Sequence, residues 1–299
     1  MNETLQQINE FINAQRAEWP VAAKGFSGLD GVVVKDFTLN GFPVKVQFNP
    51  ARAVSSGAKV DKKTIAARPC FLCLKNRDEK QRNIEWKDGK YEVLINPFPI
   101  FPRHLTIPST LHERQEIKGR IADMFDLALE LPTFTVFYNG PRCGASAPDH
   151  MHFQAGDSSF LPIWQWVDAG KFEEIKKVDG ATLKVSENLP MKLYVIEAST
   201  AAGADELFNA LYQSMPVPEG EWEPMMNVLA KGDDGKVTIA VIPRGKHRPS
   251  FYDAEGEEGM MISPASVDLG GVFILPREID FNRIDEDTLQ KVIDEVTAK

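Results

Sequence analysis

Asn139-Gly140-Pro141-Arg142-Cys143-Gly144-Ala145-Ser146-Ala147-Pro148-Asp149-His150-Met151-His152-Phe153-Gln154 is the stretch on which the reading of this chain turns. Two of only five histidines sit one residue apart, with a glutamine two further on and a Gly/Ser-bearing loop before them. On a strand, residues two apart point to the same face, so the sequence predicts that His150, His152 and Gln154 project together. A neutral imidazole can attack phosphorus and split one difficult displacement into two easier ones. Such an attack needs the other ring nitrogen held by an acceptor, and it needs donors on the phosphoryl oxygens. Gln154, Ser146 and the backbone amides of residues 144–146 can supply those donors. The plainer reading of the two histidines is that both are zinc ligands.

Outward from this stretch, residues 134–138 and 150–154 read as two strands. Residues 91–95 and 104–107 read as two more, around the proline-rich link at 96–102. Residues 111–131 read as one helix, because Ile117, Ile121, Met124, Phe125 and Leu129 keep one apolar face. Nearer the start, residues 3–18 place Leu5, Ile8, Phe11 and Ile12 at helical spacing. Residues 32–39 and 42–48 alternate like strands about Asn40-Gly41, a two-residue hairpin signal. Residues 49–69 read as loop. The pattern predicts an α+β fold, an antiparallel sheet with packed helices.

The second half echoes the first. Residues 193–196 read as a strand and 204–215 as a helix. Residues 237–242 lead into Pro243-Arg244-Gly245-Lys246-His247, as residues 105–107 lead into Pro108-Ser109-Thr110-Leu111-His112. Residues 270–276 read as a closing strand in the place of 150–154. This predicts a duplicated chain, residues 1–170 carrying the motif and 171–299 a degenerate copy, with the boundary within 165–190.

Composition narrows the function classes. The 299 residues are 43% hydrophobic and 26% charged, as in ordinary globular proteins. A formal charge of −9 argues against a broad basic surface for nucleic acid or anionic membrane. No apolar run of membrane-spanning length occurs, and the start is polar and acidic rather than an export signal. Three cysteines make a poor disulfide framework, so a cytoplasmic protein with reduced thiols is expected.

Cys70-Phe71-Leu72-Cys73 has metal or redox spacing, and no βαβ pattern surrounds it to favour redox chemistry. A tetrahedral zinc site joins two close pairs of ligands. Cys70 and Cys73 form one pair, and His112 and His150 can supply the rest, with His104 as a competitor. Cys143 reads as an ordinary core or loop cysteine. Arg244, Lys246, His247 and Arg248 concentrate cationic side chains on an acidic chain. Arg and Lys suit phosphate recognition, although a solvated charged loop reads equally well.

These residues carry a family resemblance. Residues 96–108, Asn96-Pro97-Phe98-Pro99-Ile100-Phe101-Pro102-Arg103-His104-Leu105-Thr106-Ile107-Pro108, resemble the strand pair preceding the active site in histidine-triad-like (HIT-like) proteins. Residues 144–154 are similar to the active-site motif of that superfamily's transferase branch. This branch holds galactose-1-phosphate uridylyltransferase, diadenosine tetraphosphate phosphorylase and the GDP-hexose phosphorylases, whose motif ends in Gln where the hydrolases have a third His. The resemblance covers residues 68–156 well and residues 227–249 and 270–276 loosely.

The resemblance implies an α+β chain of two fused HIT-like halves. It implies that His152 is the nucleophile forming a nucleotidyl-histidine, with Gln154 and Ser146 at the phosphoryl group and Asn139 orienting the centre. Asn96, Gly144, Ala145, Arg244, Lys246 and His247 are expected as substrate contacts. Structural zinc would rest on Cys70, Cys73, His112 and His150. Asp149 stands between Pro148 and His150, where the uridylyltransferases and diadenosine phosphorylases place Pro directly before the first His, and this brings the motif nearer the GDP-hexose phosphorylases. The expected activity is therefore a phosphorylase-type nucleotidyltransferase acting on a nucleoside diphosphate sugar or dinucleoside polyphosphate, with inorganic phosphate as co-substrate. The alternatives are a HIT-type hydrolase or a decayed nucleotide-binding protein. Because superfamily members are commonly dimers, a homodimer is the assembly to test for.

Overall fold

Asn40 and Gly41 both adopt positive φ, 51° and 84°, which is the type I′ turn whose twist matches flanking strands. They join β1 (Val33–Leu39) to β2 (Phe42–Phe48), paired from Val33↔Phe48 to Leu39↔Phe42. The structure is a computed structural model that describes residues 3–53, 57, 61–254, 256 and 259–299. Of the 49–69 stretch expected as loop, residues 54–56 and 58–60 lie outside the described residues, Pro50–Arg52 is a 3-10 turn and Lys62–Ala67 is a short helix, α3.

Two helices precede the hairpin. α1 (Glu3–Glu18) buries Leu5, Ile8 and Ile12, the stripe that its spacing dictates. α2 (Pro20–Ser27) begins with a proline in its first turn, where the missing N–H costs nothing. Then come β3 (Ile84–Trp86), β4 (Tyr91–Ile95), β5 (His104–Pro108), α4 (Ile121–Glu130), β6 (Phe134–Asn139) and β7 (His152–Asp157). The chain continues through α5 (Ile163–Ala169), β8 (Phe172–Val178), β9 (Ala181–Ser186), β10 (Tyr194–Ala198), α6 (Ala201–Ser214), β11 (Met226–Asp233) and β12 (Lys236–Pro243). It closes with α7 (Ser266–Leu269), β13 (Val272–Leu275), α8 (Glu278–Arg283) and α9 (Glu286–Val296).

Ten strands form one sheet in the order β3-β4-β5-β7-β6-β11-β12-β10-β9-β8. Its pairings are antiparallel throughout. Read from either edge, each half has the same order: three strands in sequence, then the fifth, then the fourth. α4 follows β5 as α6 follows β10, so the duplication is a property of the topology. The halves join where β6 pairs with β11, from Asn139↔Asn227 to Thr135↔Lys231. α1, α2, α4 and α6 share one core against the sheet, and a second core gathers β1, β2, β13, α5 and α9. Gly232 on β11 permits the close approach of α4, since a Cβ there would clash with the Ala128 carbonyl oxygen.

Three expectations are corrected. First, the equivalence of residues 237–242 with 105–107 fails, because β12 occupies the place of β7 and β10 the place of β5. The two Pro-x-x-x-His spacings are therefore unrelated. Second, residues 270–276 do not close the large sheet: β13 pairs parallel with β2, from Val272↔Lys45 to Leu275↔Phe48, in a separate three-stranded sheet. Stretches 1–170 and 171–299 consequently share both sheets. Third, the helix expected over 111–131 is confined to Ile121–Glu130. Upstream of it, Gly119 has φ 73°, and the Glu113 carbonyl and Gln115 N–H bond to Met151 N–H and the Pro148 carbonyl instead of a helical ladder.

Glu223 braces this irregular segment. Its buried carboxyl accepts from the Tyr138 hydroxyl at 2.6 Å and from Ile117 N–H at 2.9 Å. Burial pushes the carboxyl up to about 7, against the opposing pull of those two hydrogen bonds. A carboxyl raised in the folded state binds its proton more tightly there than when unfolded. Its contribution is complete below the ordinary value of 4.5 and is lost as pH rises through about 7. The size is roughly 3 kcal/mol. Glu223→Gln should remove this slope, so that urea unfolding at pH 5 and pH 8 shows wild type losing up to that amount relative to the variant; parallel pH profiles would contradict the assignment.

Candidate active site

The two neighbouring histidines are separated by the end of a strand. His152 opens β7, whereas His150 lies in the bend before it. The expectation of one shared face is corrected here: Met151 N–H bonds the Glu113 carbonyl at 2.7 Å, which takes His150 off the ladder, and its ring turns to the cysteines.

His150 Nδ1 lies 3.3 Å from Cys70 Sγ and 3.6 Å from Cys73 Sγ. His112 Nδ1 lies 3.2 Å from Cys73 Sγ and 3.3 Å from His150 Nδ1. The four ligand atoms all fall within 4.8 Å of one another. His150 Nε2 is 2.8 Å from the Ser109 carbonyl. A carbonyl only accepts, so Nε2 carries the proton and Nδ1 presents its lone pair to the sulfurs. Burial alone would raise the Cys70 thiol, but the neighbouring His150 ring and hydrogen bonds from the Leu72 and Cys73 amides bring it down to about 7. A tetrahedral zinc ion, with Zn–S about 2.3 Å and Zn–N about 2.0–2.1 Å, sets S–N edges of about 3.5 Å and an N–N edge of about 3.3 Å. The donor set and its spacing fit that ion. His104 is 50 residues from Gln154 in sequence and bonds to it, away from this cluster; His112 is the histidine that joins the cysteines.

His152 has the opposite tautomer. Its Nδ1 is 2.8 Å from the His150 carbonyl, so Nδ1 is the protonated nitrogen and Nε2 is bare. Burial pushes this imidazole down to about 4, which keeps it neutral near pH 7. The ring lines a cavity of about 740 Å³, together with Gln154, Asn139, Asn96, Ser146 and Thr106.

Gln154 is oriented by two backbone amides acting through side chains. Ile100 N–H donates to His104 Nδ1 at 3.1 Å, so His104 Nε2 carries the proton and donates to Gln154 Oε1 at 3.0 Å. Phe98 N–H donates to Asn96 Oδ1 at 2.9 Å, so Asn96 Nδ2 donates to the same Gln154 oxygen at 3.3 Å. Both chains place the oxygen of Gln154 inward and leave its NH2 group for the cavity. Burial pushes His104 down to about 3, with the charge of Arg52 adding to the effect.

Asn139 ends β6 at the seam between the halves. Its Oδ1 accepts from Asn227 Nδ2 at 2.9 Å, Ser266 N–H at 2.8 Å and Ser266 Oγ at 2.7 Å. The Nδ2 group is therefore the free end of a side chain that lines the cavity. The loop carrying Gly144, Ala145 and Ser146 forms the adjacent wall. Gly144 has φ 98°, and a Cβ there would meet Ala265 Cβ at 2.4 Å, so only glycine fits.

Two of the three cationic residues expected at substrate do not line the cavity. Arg244 is buried and spends all five N–H groups on protein: Nε on the Val296 carbonyl, Nη1 on Asn227 Oδ1 and the Pro264 carbonyl, and Nη2 on the Lys246 and His247 carbonyls. Lys246 faces outward and pairs with Glu295 at 3.3 Å. His247 does line the cavity, beside Arg248, and burial pushes it down to about 3.

Other cavity residues carry weak signals in the sequence or none. Arg52 donates to the Phe98 carbonyl at 2.7 Å, and among the described residues no carboxylate lies within ion-pair distance of it. Arg68, by contrast, pairs with Asp149 at 3.0 Å. Arg248 stood within the basic run, whereas nothing in the pattern marks Arg52, nor Gln115, which is buried behind the cavity wall with its carboxamide on the His152 backbone.

Residues 11–157 match the family model described as Domain of unknown function (DUF4922). No curated protein matches the chain. Among solved structures, yeast Ap4A phosphorylase Apa2 is similar at 17% identity, with TM-score 0.65 over 99% of this chain and 95% of that one. Its complex with Ap4A is similar at 18% identity, TM-score 0.63, over 98% and 97%. Its complex with AMP is similar at 20% identity, TM-score 0.64, over 98% and 96%. The chain thus shares the fold of Apa2 along nearly its full length, and the expectation of an antiparallel sheet with packed helices stands. Among the described residues no helix is long and apolar enough to cross a membrane.

Arg244→Met should cost roughly 3 kcal/mol or more, because several buried acceptors lose their donor at once. Thermal or urea unfolding reads that loss. A variant of wild-type stability with weakened nucleotide binding would instead make Arg244 a substrate contact.

Proposed function

We propose that this HIT-like chain is a phosphorylase-type nucleotidyltransferase acting on a nucleoside joined through a pyrophosphate linkage to a hexose or a second nucleotide. The GDP-hexose type is favoured by Asp149 within the motif. The observation that carries the reading is the unprotonated, unpartnered Nε2 of His152 on the wall of a 740 Å³ cavity, beside the directed NH2 group of Gln154. The likeness to Apa2 supports it at the level of fold.

In the first step the Nε2 lone pair of His152 attacks the α-phosphorus. The bond from phosphorus to the bridging oxygen breaks, and the sugar phosphate or nucleotide leaves with that oxygen. The positive charge that develops on the ring is stabilised by Nδ1–H on the His150 carbonyl. Gln154 NH2, Asn139 Nδ2 and the loop at Ser146 face the phosphoryl oxygens, and Arg52, His247 and Arg248 supply donors deeper in the cavity. In the second step an oxygen of inorganic phosphate attacks the same phosphorus, the N–P bond breaks, and a nucleoside diphosphate leaves. A phosphate anion needs no proton removed before it attacks, whereas water does. His104 is engaged at both nitrogens and His247 is held near 3, so neither suits the general-base role that the hydrolase alternative requires.

Cys70, Cys73, His112 and His150 would hold zinc. With four protein ligands there is no open position for water, so the ion supplies cross-linking of three chain segments and no chemistry.

A panel of nucleoside diphosphate hexoses and dinucleoside polyphosphates should yield a nucleoside diphosphate from the transferred group when inorganic phosphate is present, and sustained release of a nucleoside monophosphate with water alone would favour the hydrolase. His152→Ala should lower turnover by at least about 10³-fold with the fold intact. Metal analysis should find one zinc per wild-type chain and none in a Cys73→Ser/His112→Ala double variant, with a lowered thermal midpoint; a metal-free wild type of unchanged stability would remove zinc from the account.

A further inference from the structure

We infer that Gln115 is the positioning residue that holds β6 and β7 apart, and so sets where His152 stands relative to Asn139. β6 and β7 pair in single steps from Phe134↔Asp157 to Phe137↔Gln154. Continued by two steps, the same register would place Asn139 opposite His152. That pair does not form, and the Gln115 carboxamide occupies the gap. Its Oε1 accepts from His152 N–H at 2.8 Å, and its Nε2 donates to the Asn139 carbonyl at 3.0 Å and the His152 carbonyl at 3.1 Å. The orientation of this amide is not open to exchange, because backbone N–H only donates and backbone carbonyls only accept.

A carboxamide has the donor and acceptor of a peptide group. Gln115 thus stands in for one peptide of an intervening strand. It bonds three of the four backbone groups of the pair while keeping the strands one amide further apart than direct pairing would. The separation parts the two strands where Asn139 and His152 line the cavity. Gln115 is fully buried and its own backbone is fixed at both ends. Its N–H donates to the Pro148 carbonyl at 3.0 Å, and its carbonyl accepts from Trp222 Nε1 at 2.8 Å. It lies three residues after His112, so the segment that reaches the cysteine cluster also carries the wedge.

This inference rests on His152 as the reacting group, and its test separates the two. Gln115→Met preserves bulk and removes every polar contact. Gln115→Glu preserves the acceptor for His152 N–H and turns the donor toward two carbonyls into a further acceptor. Trp222→Phe loosens the wedge from outside the cavity, and keeps the question answerable should a Gln115 variant not fold. Single-turnover adduct formation with the best nucleotide of the substrate panel should slow by about 10–100-fold in both Gln115 variants, the scale of a roughly 1 Å misplacement, and by less in Trp222→Phe. KM should stay within about 3-fold, since the change is in positioning rather than uniform binding. Independently of turnover, hydrogen exchange followed by NMR should show the His152 amide losing protection in Gln115→Met. A purely structural role would lower the unfolding midpoint and leave the rate per folded molecule unchanged. Wild-type rates in the folded variants, with His152 exchange unaltered, would overturn the inference. A wild-type protein that forms no adduct would instead overturn the nucleotidyl-histidine reading, and the exchange measurement would still decide whether Gln115 is the wedge.

Discussion

One backbone carbonyl, that of His150, decides the character of the site. It binds Nδ1–H of His152 at 2.8 Å, and this single contact fixes which nitrogen of the nucleophile is bare. The carbonyl is available because His150 has left the β7 ladder, where the Met151 N–H bond to the Glu113 carbonyl turns the chain and the His150 ring is anchored between Ser109 and two cysteines. The cysteine cluster, the bend and the tautomer therefore form one dependency. Two histidines two residues apart carry their protons on opposite nitrogens, each dictated by a carbonyl that can only accept. Burial then keeps His152 neutral, so the ring has its lone pair ready without a separate base.

The duplicated topology explains how polar groups on the wall of the cavity are held in place. The first half brings His152, Gln154 and Asn139, and the second half brings the groups that fix Asn139. Asn227 and Ser266 saturate the Asn139 oxygen, and Arg244 ties Asn227 to the carbonyls of the segments around it. In the second half the strand in the place of β7 is β12, whose Val237, Ile239 and Val241 are buried apolar side chains. One copy thus carries chemistry while the other is packed as a support, a division in which substitutions of the two halves have different consequences.

The strands and long helices are legible in the sequence because their periodicities are enforced by burial: α1 by Leu5, Ile8 and Ile12, and the first hairpin by Asn40-Gly41 at positive φ. The four-residue Cys/His set is legible for a similar reason, since ligand chemistry restricts the residue types. What pattern cannot reach are contacts whose logic is three-dimensional. Apolar spacing carries the helix at 121–130 backward to 111, because Ile117 is buried even where the backbone is irregular. Arg244 reads as a phosphate ligand because a guanidinium fork fits phosphate, yet here the fork is filled by carbonyls from four chain segments. Gln115, the carboxamide between two diverging strands, has no periodic signature at all. Strand order is equally hidden, since matching Pro-x-x-x-His spacings align β12 with β5 although the sheet places it with β7.

The most direct test of the account is mass spectrometry of the protein after brief exposure to its nucleotide substrate without phosphate. A nucleoside monophosphate adduct is predicted on His152, labile to acid and stable to base, and discharged as nucleoside diphosphate on addition of inorganic phosphate. An adduct on any other residue, or rapid turnover with direct transfer to phosphate and no adduct on His152, would contradict it.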